Sequence, residues 1–473
     1  MIRKIEKYDN CGNVAYIVAN VDKIKSLGFG EKETEYLSKT FEKKDYATMN
    51  LYDRMCFFVK PNAEKSVDEQ RESVRMNGCS ISDALNAQKY ASVCIVDLTE
   101  NGFALDLAEG IELANYRFDK YLKEKKAVTL SEINIVGNVN DTDVVRLNSL
   151  VDGVFIARDI INEPLSYMTA KKLSEEIERL GKEYGFKTEI LDKMQIESLK
   201  MGGLLAVNRG SVEPPTFSIL KWEPENAINE HPYILVGKGL VFDTGGYDLK
   251  PSSSMDTMKS DKSGGAAVVG TIAALAKANV PVKVYGLVPA TENRIGATAY
   301  VPEDIITMYD GTTVEIANTD AEGRLILADA LAYAKKYNPE LVIDIATLTG
   351  AAIVAVGEKN TAVLGNSPEN IEKLKKFGFN VWERLIELPL WDDFAEQLKS
   401  PIADLKNCGS RYGGTITAAM FLKHFTDYKW VHLDIAGPAF TEKKDSYRGN
   451  GGTSVPTRLL FKYFTELTIA SAS

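Results

Sequence analysis

Apolar positions along this chain recur with two spacings, and the spacing switches every ten to twenty residues. Val14–Val18, Met55–Val59, Ser92–Val96 and Ile133–Val136 are short, β-branched or aromatic-rich runs of the kind that form strands. Charged stretches of helical period separate them, so residues 1–140 read as a small α/β domain. Within it, Asp106 to Lys126 reads as one long amphipathic helix whose lysine-rich last turn suits the helix dipole. Asp141 to Ile161 reads as a further helix, with Val144, Leu147, Leu150, Val151, Val154 and Phe155 at apolar positions. Asn162-Glu163-Pro164 stops it, because proline disfavours helix in the residue before it. No Gly/Ser-rich tract adjoins it, so residues 141–164 read as a connecting helix rather than a flexible linker.

From Thr169 onward the two periods alternate regularly. Ala170–Tyr184 reads as a helix and Lys187–Leu191 as a strand. Tyr233–Val236 and Val282–Pro289 read as strands around a helix at Gly264–Ala278. Leu341–Ala346 is a near-continuous apolar run, as expected of a strand covered on both faces. Helices at Thr415–Phe425 and Val455–Phe464 flank another strand, Trp430–Ile435. The expected fold class is α/β. A small N-terminal α/β domain is joined by the connecting helix to a larger α/β domain, residues 165–473, with a mixed central sheet.

Composition narrows the function. A length of 473 residues allows two to three domains. A net charge of -10 argues against nucleic acid as the main partner. Cys11, Cys56, Cys79, Cys94 and Cys408 form no C-x-x-C and are expected to be reduced intracellular thiols. The charged start, Met1 to Lys7, lacks the apolar core of a signal peptide, and no run is long enough to span a bilayer. A cytoplasmic location away from membranes is therefore expected. His231, His424 and His432 are the only histidines, so a metal site must draw chiefly on oxygen ligands. His432 reads as a structural strand residue.

The candidate chemistry sits in two clusters. Asn318-Thr319-Asp320-Ala321-Glu322-Gly323-Arg324-Leu325 lies between a β-rich run, Thr313–Ala317, and an apolar helical pattern, Leu325–Tyr337. In extended backbone Asp320 and Glu322 point to the same side, and two converging carboxylates need a cation or a shared proton. Arg324 adds a positive fork suited to an anion or a developing oxyanion. Alone, such a run is an acidic surface turn. Some eighty residues earlier stands Gly237-Lys238-Gly239-Leu240-Val241-Phe242-Asp243-Thr244-Gly245-Gly246, followed by Lys250 and by Asp261 ahead of a helix. Taken singly, Asp261 is a helix cap and the lysines are surface charge. Taken together, Asp243, Asp261, Asp320 and Glu322 stand at strand ends, which gather on one edge of an α/β sheet. Four carboxylates can hold two divalent cations about 3.5–4 Å apart. Beside them Lys238 can lose its proton and donate a lone pair, while a charged Lys250 can polarise a carbonyl. A magnesium-dependent phosphoryl hydrolase would use the same groups, and a binding or assembly scaffold is the non-enzymatic alternative.

The strings N-T-D-A-E-G-R-L, G-K-G-L-V-F-D-T-G-G, D-L-K-P and M-D-T-M-K-S-D-K-S-G-G-A-A-V resemble the leucine aminopeptidase family, the cytosolic two-metal hexameric aminopeptidases. Ile345–Ala351, Ile402–Asn407 and His432–Gly437 continue the resemblance, which covers roughly residues 105–460. It implies Lys238, Asp243, Asp261, Asp320 and Glu322 as metal ligands, with Asp243 and Glu322 bridging. It implies Lys250 and Arg324 as the catalytic pair, and Met258, Thr347, Leu348 and Gly350 in or beside the substrate pocket. The implied cofactors are two divalent ions per subunit, zinc with manganese, magnesium or cobalt exchangeable in one site, and a bicarbonate at Arg324. The implied reaction is attack of a metal-bridging hydroxide on the first bond of a peptide with a free N-terminus, in a homohexamer. Tyr247-Asp248, Lys262 and the Gly452–Pro456 segment depart from the family pattern without removing a ligand, which leaves the preferred N-terminal residue open. Asp404–Asn407 is left between loop scaffold and subunit contact.

Overall fold

The structure is a computed structural model, and it describes all residues except 8–10, 26, 126, 138 and 471–473. The chain forms two compact units: Met1–Val151 with Lys443–Asn450, and Asp152–Glu442 with Gly451–Ser473.

The first unit holds a six-stranded sheet. Its order is Ile2–Ile5, Glu132–Val136, Ser92–Asp97, Val14–Ile17, Met55–Val59, Tyr46–Asn50, and only the last strand runs antiparallel to its neighbour. Val14 to Ile17 and Met55 to Val59 are buried at every position, as strands flanked on both sides require. The helix Val67–Ala87 opens with a capping box: Ser66 accepts from the Glu69 backbone and Glu69 reaches back to Ser66.

Two expectations fail in this unit. The helix expected over Asp106–Lys126 spans only Ala104–Ala114. Arg117 Nη1 donates to the carbonyls of Ala114 and Tyr116, which another turn would have used, and the Asn115 side chain is anchored outside the helix, its Oδ1 accepting from Ser82 and its Nδ2 donating to Leu130 O. Lys126 itself lies outside the described residues. The cysteines are not all free thiols: Cys11 and Cys94 form a disulfide, their Cα atoms 6.0 Å apart. The parallel ladder sets Val14 opposite Cys94 and so brings the residues just before Val14 alongside. Cys56, Cys79 and Cys408 are free.

The second unit is built on a nine-stranded mixed sheet. Its order is Leu385–Glu387, Thr361–Gly365, Trp430–Asp434, Leu341–Ala346, Tyr233–Gly237, Val284–Asn293, Thr216–Trp222, Lys187–Leu191, and Gly239–Asp243 pairs with the far end of Val284–Asn293. The four central strands, Trp430–Asp434 to Val284–Asn293, are mutually parallel. Helices cover both faces. Ile234, Val236 and Leu287 join a core with the helix Gly323–Ala334. The alternate residue Gly286 faces Val268 and Ile272 of the helix Ser263–Lys277, as a period of two demands.

Glycines let that second helix sit directly on the strand ends. A Cβ on Gly264 would lie 2.0 Å from the Ile345 carbonyl oxygen, and one on Gly237 would lie 2.6 Å from the Gly264 carbonyl oxygen. The helix start, the turn before it and two strand ends are thereby brought to one place.

Candidate active site

Lys238 lies between the strands Tyr233–Gly237 and Gly239–Asp243, pinned by Lys238 N to Ile345 O (3.0 Å) and by Gly265 N to Lys238 O (2.8 Å). Asp243 ends the second of these strands. Asp261 lies in a single-turn helix, Met258–Lys262, entered through Thr257 at φ 72°. Asp320 and Glu322 lie in the turn before the helix Gly323–Ala334. That turn corrects one expectation. Glu322 has helical dihedrals, φ -81° and ψ -36°, so the two acids converge through a turn and not through strand alternation.

Asp243, Asp320 and Glu322 each present an oxygen within 4.8 Å of the others. Asp261 joins them through Lys238, whose Nζ lies 2.8 Å from both Asp261 Oδ2 and Glu322 Oε1. Lys250 Nζ makes the matching bridge, 2.8 Å from Asp243 Oδ2 and 2.5 Å from Asp320 Oδ1. Two ammonium groups thus stand among four carboxylates. Asp261 Oδ2 and Asp320 Oδ1 are buried and have no aligned hydrogen bond, so charge alone holds them.

Burial and then the charge of Asp243 raise the pKa of both Asp320 and Glu322 above the usual carboxylate range. Burial raises Asp261 as well, against the pull of Lys238. Burial works against the charge of Lys238, but Asp261, Glu322 and Asp243 outweigh it and hold the ammonium. Lys250 keeps its proton for the same reason, through Asp243, Glu322 and Asp320. The donor set therefore fits divalent cations: oxygen-rich, short of positive charge, and already organised around two cationic points.

Arg324 is buried at 6% exposure. Its Nη1 donates to Asn407 O at 2.9 Å, and its Nε is buried without a partner. Asn407 is fully buried and clasps the acidic turn: its Oδ1 accepts from Ala317 N and Asn318 N, and its Nδ2 donates to Asn318 O and Ala321 O. The run ending at Asn407 is thus scaffold for the turn.

The four residues expected at the substrate pocket divide. Thr347 Oγ1 donates to Asp261 Oδ1 at 2.6 Å, so its hydroxyl is used in orienting an acid. Leu348 is half-buried and its N–H is held by Asp434 Oδ1 at 3.1 Å. Gly350 is exposed at the start of the helix Gly350–Val356. Met258 is half-buried beside Thr257. Lys262 is wholly buried and donates to Glu163 O (2.9 Å) and Lys259 O (2.6 Å), and burial pushes its pKa down to about 7. His432 is buried in its strand and hydrogen-bonded to Asp344, in keeping with a structural role. Sequence reasoning missed Asn293 and the part played by Thr319, both fully buried and both bonded into the acid cluster.

The sequence pattern of the cytosol aminopeptidase family, catalytic domain, matches residues 155–461. The chain belongs to that family. Its membership places it among the metallo-aminopeptidases, which are peptide hydrolases. The chain is 50% identical over 308 residues to a probable cytosol aminopeptidase of Chloroherpeton thalassium, a match spanning 64% of this chain and 60% of that protein. It is 42% identical over 366 residues to a probable cytosol aminopeptidase of Clostridium perfringens, spanning 75% and 74%. Among solved structures it resembles a mutant tomato leucine aminopeptidase at TM-score 0.88 and 28% identity, covering 98% of this chain and 96% of that one. It also resembles the bottromycin maturation enzyme BotP in complex with Mn, at TM-score 0.84 and 29% identity, covering 97% and 100%. Among the described residues no helix is long and apolar enough to cross a membrane.

Proposed function

We propose that this aminopeptidase removes the first residue from peptides with a free N-terminus, with two divalent cations held by Lys238, Asp243, Asp261, Asp320 and Glu322. The observation that carries the reading is the charge deficit of the cluster: four carboxylates share two lysine ammonium groups, and two buried oxygens lack an aligned donor. Bound there, the ions would supply Lewis acidity and lower the pKa of a water molecule. Zinc is the assigned metal, with manganese, magnesium or cobalt exchangeable in one position. Lys238, an ammonium among the acids alone, would give up its proton as an ion binds and hold that ion as the neutral amine.

Lys250 has a different task. Its side chain is 15% exposed, open enough to meet substrate, and the acids around it hold its proton. It stands as a fixed cation beside the scissile carbonyl, where negative charge develops in the transition state. Arg324 offers a buried guanidinium with no carboxylate within ion-pair distance among the described residues, which suits a small planar anion, and bicarbonate is our assignment. The side chain of Asp320 is 32% exposed and turns a negative face toward an incoming amino group. A blocked N-terminus would lose that interaction.

In this reading residues 165–473 carry the chemistry, residues 1–140 form an accessory domain and residues 141–164 connect them. The chain works in the cytoplasm as a homohexamer, a state that light scattering would test. The deciding experiment is hydrolysis of aminoacyl anilides with free and acetylated N-termini, by chelated and metal-restored protein. Activity on the free substrates alone, lost on chelation and regained with zinc or manganese, is the expected result. Equal turnover of the acetylated substrates, or full activity after chelation, would refute it.

A further inference from the structure

Resting on that reading, we propose that Thr319 is a positioning residue that sets the spacing between Asp243 and the Asp320–Glu322 turn, with Asp248 and Asn293 as its two clasps. Thr319 is fully buried, and each of its polar atoms is engaged. Its N–H donates to Asp248 Oδ2 at 2.7 Å. Its hydroxyl oxygen accepts from Asp248 N at 2.8 Å and donates to Gly245 O at 2.7 Å. Its carbonyl accepts from Asn293 Nδ2 at 3.0 Å and from Tyr300 OH at 2.7 Å. The other acceptor of Asn293 Nδ2 is Asp243 Oδ1, at 2.9 Å.

Asp243, Asn293, Thr319 and Asp320 therefore form one continuous path from one acid to the other, through a single side-chain amide and a peptide. The path matters because the acids repel one another, and a cation site needs its ligands held within about half an ångström. Glycines close the remaining space. A Cβ on Gly245 would stand 3.0 Å from Asp320 Oδ1, and one on Gly246 would stand 3.0 Å from Thr319 Oγ1. Asp248 is exposed and departs from the family pattern, yet it supplies the bond that ties the loop carrying Lys250 to the turn carrying Asp320. It acts through Thr319 and the backbone, not on substrate.

The test compares Thr319→Val and Asp248→Ala with the conservative Thr319→Ser and Asp248→Asn, which keep the hydroxyl and the acceptor. Each full-length protein is stripped of metal, checked for fold by circular dichroism, titrated with Mn²⁺ by calorimetry and assayed on leucyl anilide. Thr319→Val and Asp248→Ala should weaken Mn²⁺ binding about 10–100-fold and lower kcat, as loss of support behind metal ligands does. KM should stay within about twofold, the pattern of a misplaced reacting group rather than a lost binding contact. The conservative pair should restore both quantities. Asp248→Ala binding Mn²⁺ as tightly as the unaltered chain overturns the proposal, even where Thr319→Val fails to fold. Failure of the unaltered chain to bind any divalent ion overturns the reading of the site as well, and so separates the two.

Discussion

Each unit of this protein buries a cluster of opposite charges, and the two clusters are neutralised in different ways. In the first unit Arg75 spreads its guanidinium over three acids: Nε to Glu109 Oε2 at 2.8 Å, Nη2 to Asp106 Oδ1 at 2.6 Å, Nη1 to Glu72 Oε2 at 3.3 Å. Arg448 and Tyr447 add bonds to Glu72, and Arg71 lies 3.5 Å from Asp106. Among the described residues the three buried acids face three arginines, Asp445 lies 4.0 Å from Arg448 at the edge, and the fork of Arg75 aligns a donor with each buried acid. In the second unit four acids face two lysines, whose ammonium groups are point charges that leave Asp261 Oδ2 and Asp320 Oδ1 without aligned donors. The first cluster is closed and holds a structure together. The second is left short of positive charge, which suits it to hold cations. Burial of acids is common to both clusters; the residual charge separates them.

The largest effect should come from removing groups of the open cluster. Lys250→Ala should lower kcat by about 10²–10³-fold, the usual loss when one stabiliser of a developing oxyanion is removed. Glu322→Ala should lose at least as much activity together with metal binding. Anilide hydrolysis and calorimetric Mn²⁺ titration check the two together, and retained activity in either variant would erase the contrast between the clusters.

The closed cluster should instead show its importance in stability. Arg75→Ala leaves three buried carboxylates around an empty position and should destabilise the protein by about 3–5 kcal/mol. Urea unfolding measures this, and the Mn²⁺ affinity of the folded variant should be unchanged. A smaller effect sharpens the difference further. Mn²⁺ at a hundred times its dissociation constant should add about 2.7 kcal/mol to the unfolding free energy. That gain should vanish in Glu322→Ala and persist in Glu72→Gln, as urea titrations with and without Mn²⁺ would reveal.

The two clusters also differed in how far they could be read from sequence. The open one was legible because its acids and lysines lie in two short glycine-marked strings, and a resemblance covers both. Strands such as Leu341–Ala346 and the helix Ala170–Tyr184 were legible from period alone. Arg75 with Glu72, Asp106 and Glu109 was not, since on a sequence these are ordinary helix-face charges until two helices meet. Asn293 was hidden for a related reason. The apolar pattern of its strand fades at Pro289, but the strand continues to Asn293 because Gly239–Asp243 pairs with its polar end. The supports of the site, Asn293, Thr319 and Asn407, act across separations of 26 to 90 residues, which no local pattern encodes.

A third kind of buried acid completes the comparison, and its effect is read step by step, as a slope of stability with pH. Asp329 lies within the helix Gly323–Ala334 at 1% exposure and has no cation partner among the described residues: Oδ2 accepts from Leu204 N and Oδ1 from Tyr309 N, both at 2.9 Å. Burial outweighs these backbone bonds, and with the nearby charge of Asp310 it pushes the pKa up to about 7 from an ordinary 3.8. The folded state therefore binds this proton more tightly than the unfolded chain does. Between pH 4 and pH 7 the unfolded chain has released the proton while the folded one retains it, so the linkage term is negative and stability falls as pH rises. The contribution is fully present below about pH 4 and lost above about pH 7, at no more than about 1.4 kcal/mol per pH unit. Asp329→Asn should remove that slope; at the acid end it should be less stable by about 1–3 kcal/mol, because its amide nitrogen faces a backbone N–H, and that deficit should shrink as pH rises towards 7. Urea unfolding of metal-free protein at pH 5, 6 and 7 measures both. An unchanged slope in the variant would mean that Asp329 is ionised throughout, held by its backbone donors as the acids around Arg75 are held by arginine.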